Sequence, residues 1–256
     1  VSQATVPLRI LHVTDPHLFA DDAAELRGVV TATTLARTLD DYRASGWTAD
    51  QVIVTGDITQ DHSAGAYRRF VDAVSSLSLP VHCVPGNHDV PDLLRDACES
   101  AGFHYCAAVQ CGDWLIVGLD SAVEGEVAGR IPAAEAQRLR DAVDASDAEH
   151  VLVHLHHPPV AVGTPWLDAV GMHDADAALE RLRSVNRVRS ILFGHVHQAH
   201  DSTHNGLRIV GTPSTCRQFL PGSKDYAVDD RPPAWRRVEL RADGLMETDL
   251  VWINAD

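Results

Sequence analysis

The chain has 256 residues, 45% of them hydrophobic, and no low-complexity tract, enough to close one large core as a single domain over residues 1–256. Its formal charge of -15, from 36 acidic against 21 basic side chains, opposes a general affinity for nucleic acid or membrane, while a small anionic substrate stays compatible if bound cations offset their acidic ligands. No stretch approaches the roughly twenty apolar residues that cross a bilayer; the opening V-S-Q-A-T-V-P lacks the segments of a signal peptide, so the expected location is cytoplasmic, and the five cysteines are expected as reduced thiols, with a Cys106 to Cys111 bridge only in an oxidising compartment.

In chain order, the aliphatic run over 8–14 predicts a buried strand that delivers Asp15 and His17 to its C-terminal edge. Leu35, Leu39 and Tyr42 then recur at helical spacing, with Gly46 as the stop. A short strand over 52–55 leads into Asp57, and Tyr67, Phe70, Val71, Val74 and Leu77 mark one face of the next helix. A strand over 81–84 ends at Pro85 and the turn G-N-H-D; a small helix follows Pro91, and strands are expected near 105–109 and 114–119. A helix begun by Pro132 carries Leu139 and Val143, after which V-L-V-H-L-H-H reads as an alternating strand ending at Pro158. A helix around Leu179, Leu182 and Val185 precedes the strand over 190–193, which delivers G-H-V-H to the same edge. From about residue 203 the chain turns to strands over 207–210, 235–240 and 245–252, divided by N-G and D-G turns and expected to build mainly a second sheet.

Five segments thus end predicted strands with metal-ligand side chains: D-P-H at 15–17, G-D at 56–57, G-N-H-D at 86–89, H-H-P-P at 156–159 and G-H-V-H at 194–197. Each alone is ordinary turn sequence, because Asp, Asn and His beside Gly or Pro are common in loops. Together, after five apolar runs, they read as one binuclear metal site. Imidazoles among hard oxygens suit iron, manganese or zinc better than calcium. His157 rivals His156 as a ligand, but strand alternation would aim it at the opposite face. His154 reads as a hydrogen-bonded core residue or as a support for His156, and the other histidines, His12, His62 and His82 among them, as structural or solvated.

In order and spacing these blocks resemble the calcineurin-like metallophosphoesterase superfamily, over nearly the whole chain. The resemblance implies an α/β fold: a four-layer αββα sandwich of two mixed sheets flanked by helices. It implies that Asp15, His17 and His197 hold one divalent ion, that Asn87, His156 and His195 hold a second, and that Asp57 bridges them, since only a carboxylate offers one oxygen to each ion while offsetting part of their repulsion. Iron and manganese are the ions the family most often implies, with zinc a further option. Two such ions share a water, lower its pKa and present hydroxide to phosphorus. His88 is not needed as a ligand and would face the phosphoryl group, to steady charge or protonate the departing oxygen. Asp57 and His88 are therefore the expected catalytic residues, and His17, Asp57, Asn87, His88 and His197 the expected substrate contacts. Relatives often orient that imidazole with an Asp three positions after the bridging one; here the position is Gln60, with the carboxylate at Asp61.

The second block, G-D-I-T-Q-D-H-S, lacks the Arg by which protein phosphatases grip a dianionic phosphate, which favours a diester; Arg68, Arg95 or Arg130 are the cations that would have to intrude otherwise. G-T-P-W-L-D at 163–168, G-H-V-H-Q at 194–198 and G-T-P-S-T-C-R-Q-F at 211–219 further resemble bacterial class III cyclic-AMP phosphodiesterases. That implies hydrolysis of 3',5'-cyclic AMP to AMP, with the base toward the Trp166 and Cys216 loops. Read alone, Trp166, Phe219 and Cys216 are packing residues. The rival specificities are broad phosphodiesterase and glycerophosphodiesterase on the same site; a metal-free scaffold would have no need of the ligand set.

Overall fold

The computed structural model of the chain describes residues 6–253. In order it forms β1 (Leu8–Val13), a hairpin of β2 (Glu25–Leu26) and β3 (Val29–Val30), α1 (Thr31–Ala44), β4 (Gln51–Val54), α2 (Ala64–Ser75), β5 (Val81–Cys83), α3 (Pro91–Ala101), β6 (His104–Tyr105), β7 (Ala108–Cys111), β8 (Trp114–Gly118), α4 (Ala133–Asp144), β9 (His150–His154), the short α5 (Pro165–Asp168), α6 (Ala175–Ser184), β10 (Val188–Phe193), β11 (His200–His204), β12 (Leu207–Gly211), the short pair β13 (Gln218–Phe219) and β14 (Val228–Asp229), β15 (Ala234–Leu240) and β16 (Met246–Trp252).

Two six-stranded mixed sheets result, in the orders β16-β15-β1-β4-β5-β6 and β11-β12-β10-β9-β8-β7. In the first, β1, β4, β5 and β6 are parallel, with β15 and β16 antiparallel at the other side. In the second, β8, β9, β10 and β12 are parallel, flanked by the antiparallel β7 and β11. Strand alternation explains the layering, because successive side chains leave opposite faces of a sheet. On β4, Val52 and Val54 pack with Leu35, Phe70 and Leu94 of α1, α2 and α3, whereas Ile53 between them joins Ile10, Ile116, Leu152 and Leu192 in the space between the sheets. On the second sheet, Val151 and Val153 pack with Leu139 of α4 and Leu182 of α6. Three apolar clusters separate four layers, the αββα sandwich.

Local signals set the helix ends. The Ser63 hydroxyl accepts from Ala66 N to start α2, and α3 begins at Pro91 and stops at Gly102, whose φ of 71° suits glycine. The expected strand over 105–109 is two strands: β6 pairs with β5 in the first sheet and β7 with β8 in the second, so the chain changes sheets between them. The strands beyond residue 203 do not mainly build the second sheet as expected. β11 and β12 join it, but β15 and β16 return to the first, where Leu8 pairs with Leu240. No helix among the described residues is long and apolar enough to cross a membrane, and all five cysteines are unpaired, Cys106 and Cys111 included.

Candidate metal centre

All five ligand-bearing segments leave the carboxyl ends of parallel strands, β1, β4 and β5 from one sheet and β9 and β10 from the other, where loops of an α/β sheet converge. The first two loops are zipped together by Asp15 N to Gly56 O at 3.1 Å, His17 N to Asp57 O at 3.0 Å and Leu18 N to Ile58 O at 2.8 Å. Asp89 ties in the third: its carboxylate accepts from the backbone N of Gly86, Ile58 and Thr59 and from the Tyr67 hydroxyl. Burial, with nearby Asp57, pushes the Asp89 carboxyl up to about 7 despite those donors. Two glycines permit the close approach. A Cβ on Gly86 would stand 2.2 Å from Asp57 Oδ1, and one on Gly194 would stand 2.2 Å from Thr14 Oγ1 and 2.7 Å from Asp15 Oδ2.

The expected ligands meet as two facing sets. In one, His17 Nε2 and His197 Nε2 lie 3.1 Å apart, with Asp15 Oδ1 3.3 Å from His197 Nε2 and Asp57 Oδ2 3.6 Å from His17 Nε2. In the other, His156 Nε2 and His195 Nδ1 lie 3.2 Å apart, Asn87 Oδ1 is 3.2 and 3.1 Å from them, and Asp57 Oδ1 is 3.4 Å from His156 Nε2. Asp57 therefore shows one oxygen to each set. Asp15, His17, Asp57, His156, His195 and His197 are all buried, while Asn87 and His88 are half-buried.

The far side of each imidazole decides what the near side offers. His17 Nδ1 faces Gln60 Oε1 at 2.9 Å, His156 Nδ1 faces Thr55 O at 2.7 Å, His195 Nε2 faces Val170 O at 2.9 Å, and His197 Nδ1 faces Arg217 O. An oxygen acceptor fixes the proton on that nitrogen, leaving a lone pair on the other. At 3.1 and 3.2 Å the near nitrogens face each other with amide and carboxylate oxygens around them, an arrangement that needs a proton or a cation between them. Two imidazoles on one ion at about 2.1 Å stand roughly 3.0 to 3.4 Å apart. The donor set fits a divalent cation in each half.

Electrostatics agree. Burial lowers His17 to about 3 and His195 to about 4, favouring the neutral ring that metals require. For His156, burial is outweighed by the Asp57 carboxylate, which raises the ring to about 9 and places a proton where a cation would otherwise sit. The neighbouring imidazoles hold Asp57 well below the usual carboxylate range against its burial. Backbone strain concentrates here too: Asp15, His17, Asp57, His195 and His197 all have positive φ, a region that costs non-glycine residues about 1 kcal/mol or more each.

Several expectations change. His157 does not point away: β9 ends at His154, so alternation no longer governs the ring, which lies 4.7 Å from both His156 and His195. Its nitrogens are taken by Ser121 Oγ at 2.9 Å and Val127 O at 3.1 Å. Neither Gln60 nor Asp61 orients His88; Gln60 serves His17, and Asp61 accepts from Ala20 N, Ser63 N and Thr59 Oγ1 to close its loop. The His88 ring stands edge-on to His17 at 5.0 Å and parallel to His62 at 6.5 Å, with its backbone N–H on Asp57 Oδ1. Burial pulls that ring below the ordinary His value. His154 lies between the sheets with neither ring nitrogen partnered, so it is a core residue without the expected hydrogen bond.

A cavity opens onto both sets, lined on one side by Asp57, Asn87 and His88 and on the other by Val127, Trp166, Phe219 and Tyr226. Trp166 and Phe219 both pack, edge to face at 5.0 Å, and line the cavity; Phe219 stacks on His197 at 4.3 Å. Cys216 is buried and off that lining, its thiol pushed up to about 12 by burial. Arg68, Arg95 and Arg130 stay off it as well, and the cation that reaches it is Arg27, from the β2–β3 turn. Only the R-G pair at 27–28 hinted at that turn; the carbonyls of Thr55, Val170 and Arg217 carry no sequence signal at all.

Residues 8–199 match the calcineurin-like phosphoesterase family. Among relatives, the chain is 36% identical over 242 residues to a protein of Vibrio vulnificus, covering 94% of this chain and 88% of that one, and 35% identical over 256 residues to a protein of Escherichia coli, covering 97% and 93%. Both are named 3',5'-cyclic adenosine monophosphate phosphodiesterase CpdA. Among solved structures, a dimetal phosphatase from Danio rerio aligns with a TM-score of 0.65 at 18% identity, covering 97% of this chain and all of that one, a likeness of fold. With these matches across the strands that carry its candidate ligands, the chain belongs to the calcineurin-like phosphoesterase family, as a metal-dependent hydrolase of phosphate esters.

Proposed function

We propose that the chain hydrolyses 3',5'-cyclic AMP to AMP with two divalent cations, iron and manganese foremost and zinc a further option, one held by Asp15, His17, Asp57 and His197 and the other by Asp57, Asn87, His156 and His195. The observation that carries this is the pair of facing lone-pair sets with one oxygen of Asp57 turned to each. Cations in those sets would supply Lewis acidity at phosphorus and lower the pKa of a water toward neutrality. The residues around them do the rest. Asp15 and Asp57 contribute two negative charges against four from the cations, so the site attracts an anion. Asn87 and His88 border the cavity where the phosphoryl group would lie, and a His88 N–H there can hydrogen-bond a non-bridging oxygen or, when the ring is protonated, pass its proton to the departing ring oxygen as the P–O bond opens, leaving the ring neutral. The aromatic wall of Trp166, Phe219 and Tyr226 keeps bulk water from one side and offers a flat apolar face to a base.

The cyclic-nucleotide specificity is supported by the two relatives named above and by the absence of a phosphatase-type Arg after Asp57. The test is a panel on metal-reconstituted protein: cyclic AMP, cyclic GMP, 2',3'-cyclic AMP, glycerophosphodiesters and bis-p-nitrophenyl phosphate, with Asp57→Asn as the inactive control. Cyclic AMP is expected to have the highest kcat/KM. Negligible turnover of it beside a fast glycerophosphodiester or a uniform rate on all diesters would replace this reading with one of the broader specificities.

A further inference from the structure

Arg27 occupies the turn of the β2–β3 hairpin, between the paired Leu26 and Val29. Its φ is 52° and that of Gly28 is 80°, the two-residue turn with both central residues left-handed. Glycine is at home there; an arginine is not, and a strained residue beside a candidate site invites a reason. The guanidinium is held in three ways. Its carbon lies 5.0 Å from the Phe219 ring centroid and 5.8 Å from that of Tyr226, and Nε donates to the Tyr226 hydroxyl at 2.7 Å. Nη1, by contrast, is buried and has no partner. A charged N–H without an acceptor is costly, and Arg27 lines the cavity, so a ligand seated there that supplies an acceptor would relieve that cost.

What kind of acceptor it meets follows from its surroundings. Asp57, Asn87 and His88 border the polar end of the cavity, whereas Arg27 is fastened to the aromatic wall, through the same Phe219 that stacks on His197. A ligand portion that lies on such a wall is flat and apolar on its faces; to satisfy Nη1 it must also carry a lone pair on its rim. A heteroaromatic base has both, and arginine donating to ring nitrogens and carbonyls of base edges is a common recognition pair. Resting on the cyclic-nucleotide reading above, we propose that Arg27 is a specificity-determining residue whose free Nη1–H donates to an acceptor on the edge of the substrate's nucleobase, with Phe219 and Tyr226 fixing the guanidinium.

The experiment compares kcat/KM for cyclic AMP with that for bis-p-nitrophenyl phosphate, a diester without a base, in the metal-loaded wild type and in Arg27→Leu. The ratio is expected to fall by roughly 10- to 100-fold, the range for losing a hydrogen bond from a charged donor, and to fall through KM for cyclic AMP rather than kcat. Should Arg27→Leu fail to fold, Tyr226→Phe decides in the same way, since it keeps both rings and the guanidinium but removes the oxygen that fixes Nε, and it too should lower the ratio through KM. An equal loss on both substrates would make Arg27 a phosphoryl clamp or a structural group and overturn the proposal, as would an unchanged ratio. A wild type that cleaves bis-p-nitrophenyl phosphate and no cyclic nucleotide would overturn the functional reading and this inference with it. Turnover of cyclic AMP with an unchanged Arg27→Leu ratio removes the inference alone.

Discussion

His154→Leu should stabilise the protein, although it replaces a fully enclosed residue. The ring lies between the two sheets, 1% exposed, with Nδ1 and Nε2 both unpartnered and the His82 ring centroid 6.2 Å away. Burial, reinforced by His82, holds it well below the ordinary His value, so it is neutral near pH 7.5 and no charge is lost on substitution. Each buried nitrogen without a partner costs about 1 to 3 kcal/mol relative to water. Leucine has nearly the volume of histidine, and a volume-conserving core swap costs less than about 1.5 kcal/mol. Gly118 opposite leaves no spare room, since a Cβ there would stand 2.9 Å from the ring, so the replacement keeps contact rather than opening a void. Two such nitrogens make about 2 to 6 kcal/mol, so after the swap cost the net expectation is a gain of at least about 0.5 kcal/mol, read from urea unfolding at pH 7.5 as a raised midpoint with an unchanged slope. A loss of more than about 1 kcal/mol would show that the ring is hydrogen-bonded in solution and refute the reasoning.

His12 and His82 make acid stability a second test. Burial, aided by Arg236 for the first and by His104 for the second, lowers them to about 3 and about 4. Below the unfolded value of 6.5 the unfolded chain therefore binds two protons that the folded one does not, and stability falls with falling pH by about 2.7 kcal/mol per unit between roughly pH 6 and pH 4.5 from these two groups. His82→Leu should make that slope shallower by about 1.4 kcal/mol per unit; an unaltered slope in pH-dependent urea melts would contradict the assignment. Gly194→Ala forces Thr14 or Asp15 aside and should lower kcat by about 100-fold or more in the metal-loaded protein, with near-wild-type rates as the outcome against it. Gln60→Leu removes the acceptor that fixes the His17 tautomer and should weaken cation binding about 10- to 100-fold in a calorimetric titration, whereas equal affinity would mean the tautomer is set otherwise.

What could be read in the sequence was whatever a short stretch of chain decides by itself. Asp15, Asp57, Asn87, His156 and His195 each follow an apolar run, and a parallel strand ending in donors announces its edge without knowledge of its neighbours. Partnership is another matter. Trp235 to Leu240 has the composition of a strand in either sheet, and only the long-range pairing of Leu8 with Leu240 settles which one it joins. Alternation mispredicted His157 because it holds only while the chain remains a strand, and β9 stops three residues earlier. Gln60 stands where relatives often carry the Asp that orients the His88 ring, yet it reaches His17, since spacing does not reveal which of two rings a side chain meets.

The candidate centre is assembled at a cost that the rest of the fold must bear. Five of its side chains sit on left-handed backbone, and its imidazole nitrogens face each other across 3.1 and 3.2 Å. In a small zinc module such an arrangement forms only with the metal, and binding free energy is folding free energy. In this chain three separate apolar clusters and the zipped loops of Asp15 and Asp57 fix the backbone that carries the groups. Chelation should therefore abolish phosphodiester hydrolysis while leaving a cooperative unfolding transition and a native near-ultraviolet circular dichroism spectrum. Restoring a divalent cation at 100 times its Kd should raise stability by about 2.7 kcal/mol per site, because the ion binds the folded chain and not the unfolded one. If the chelated protein instead loses its cooperative transition, the centre is not preorganised, and the facing nitrogens come together only when an ion draws them in.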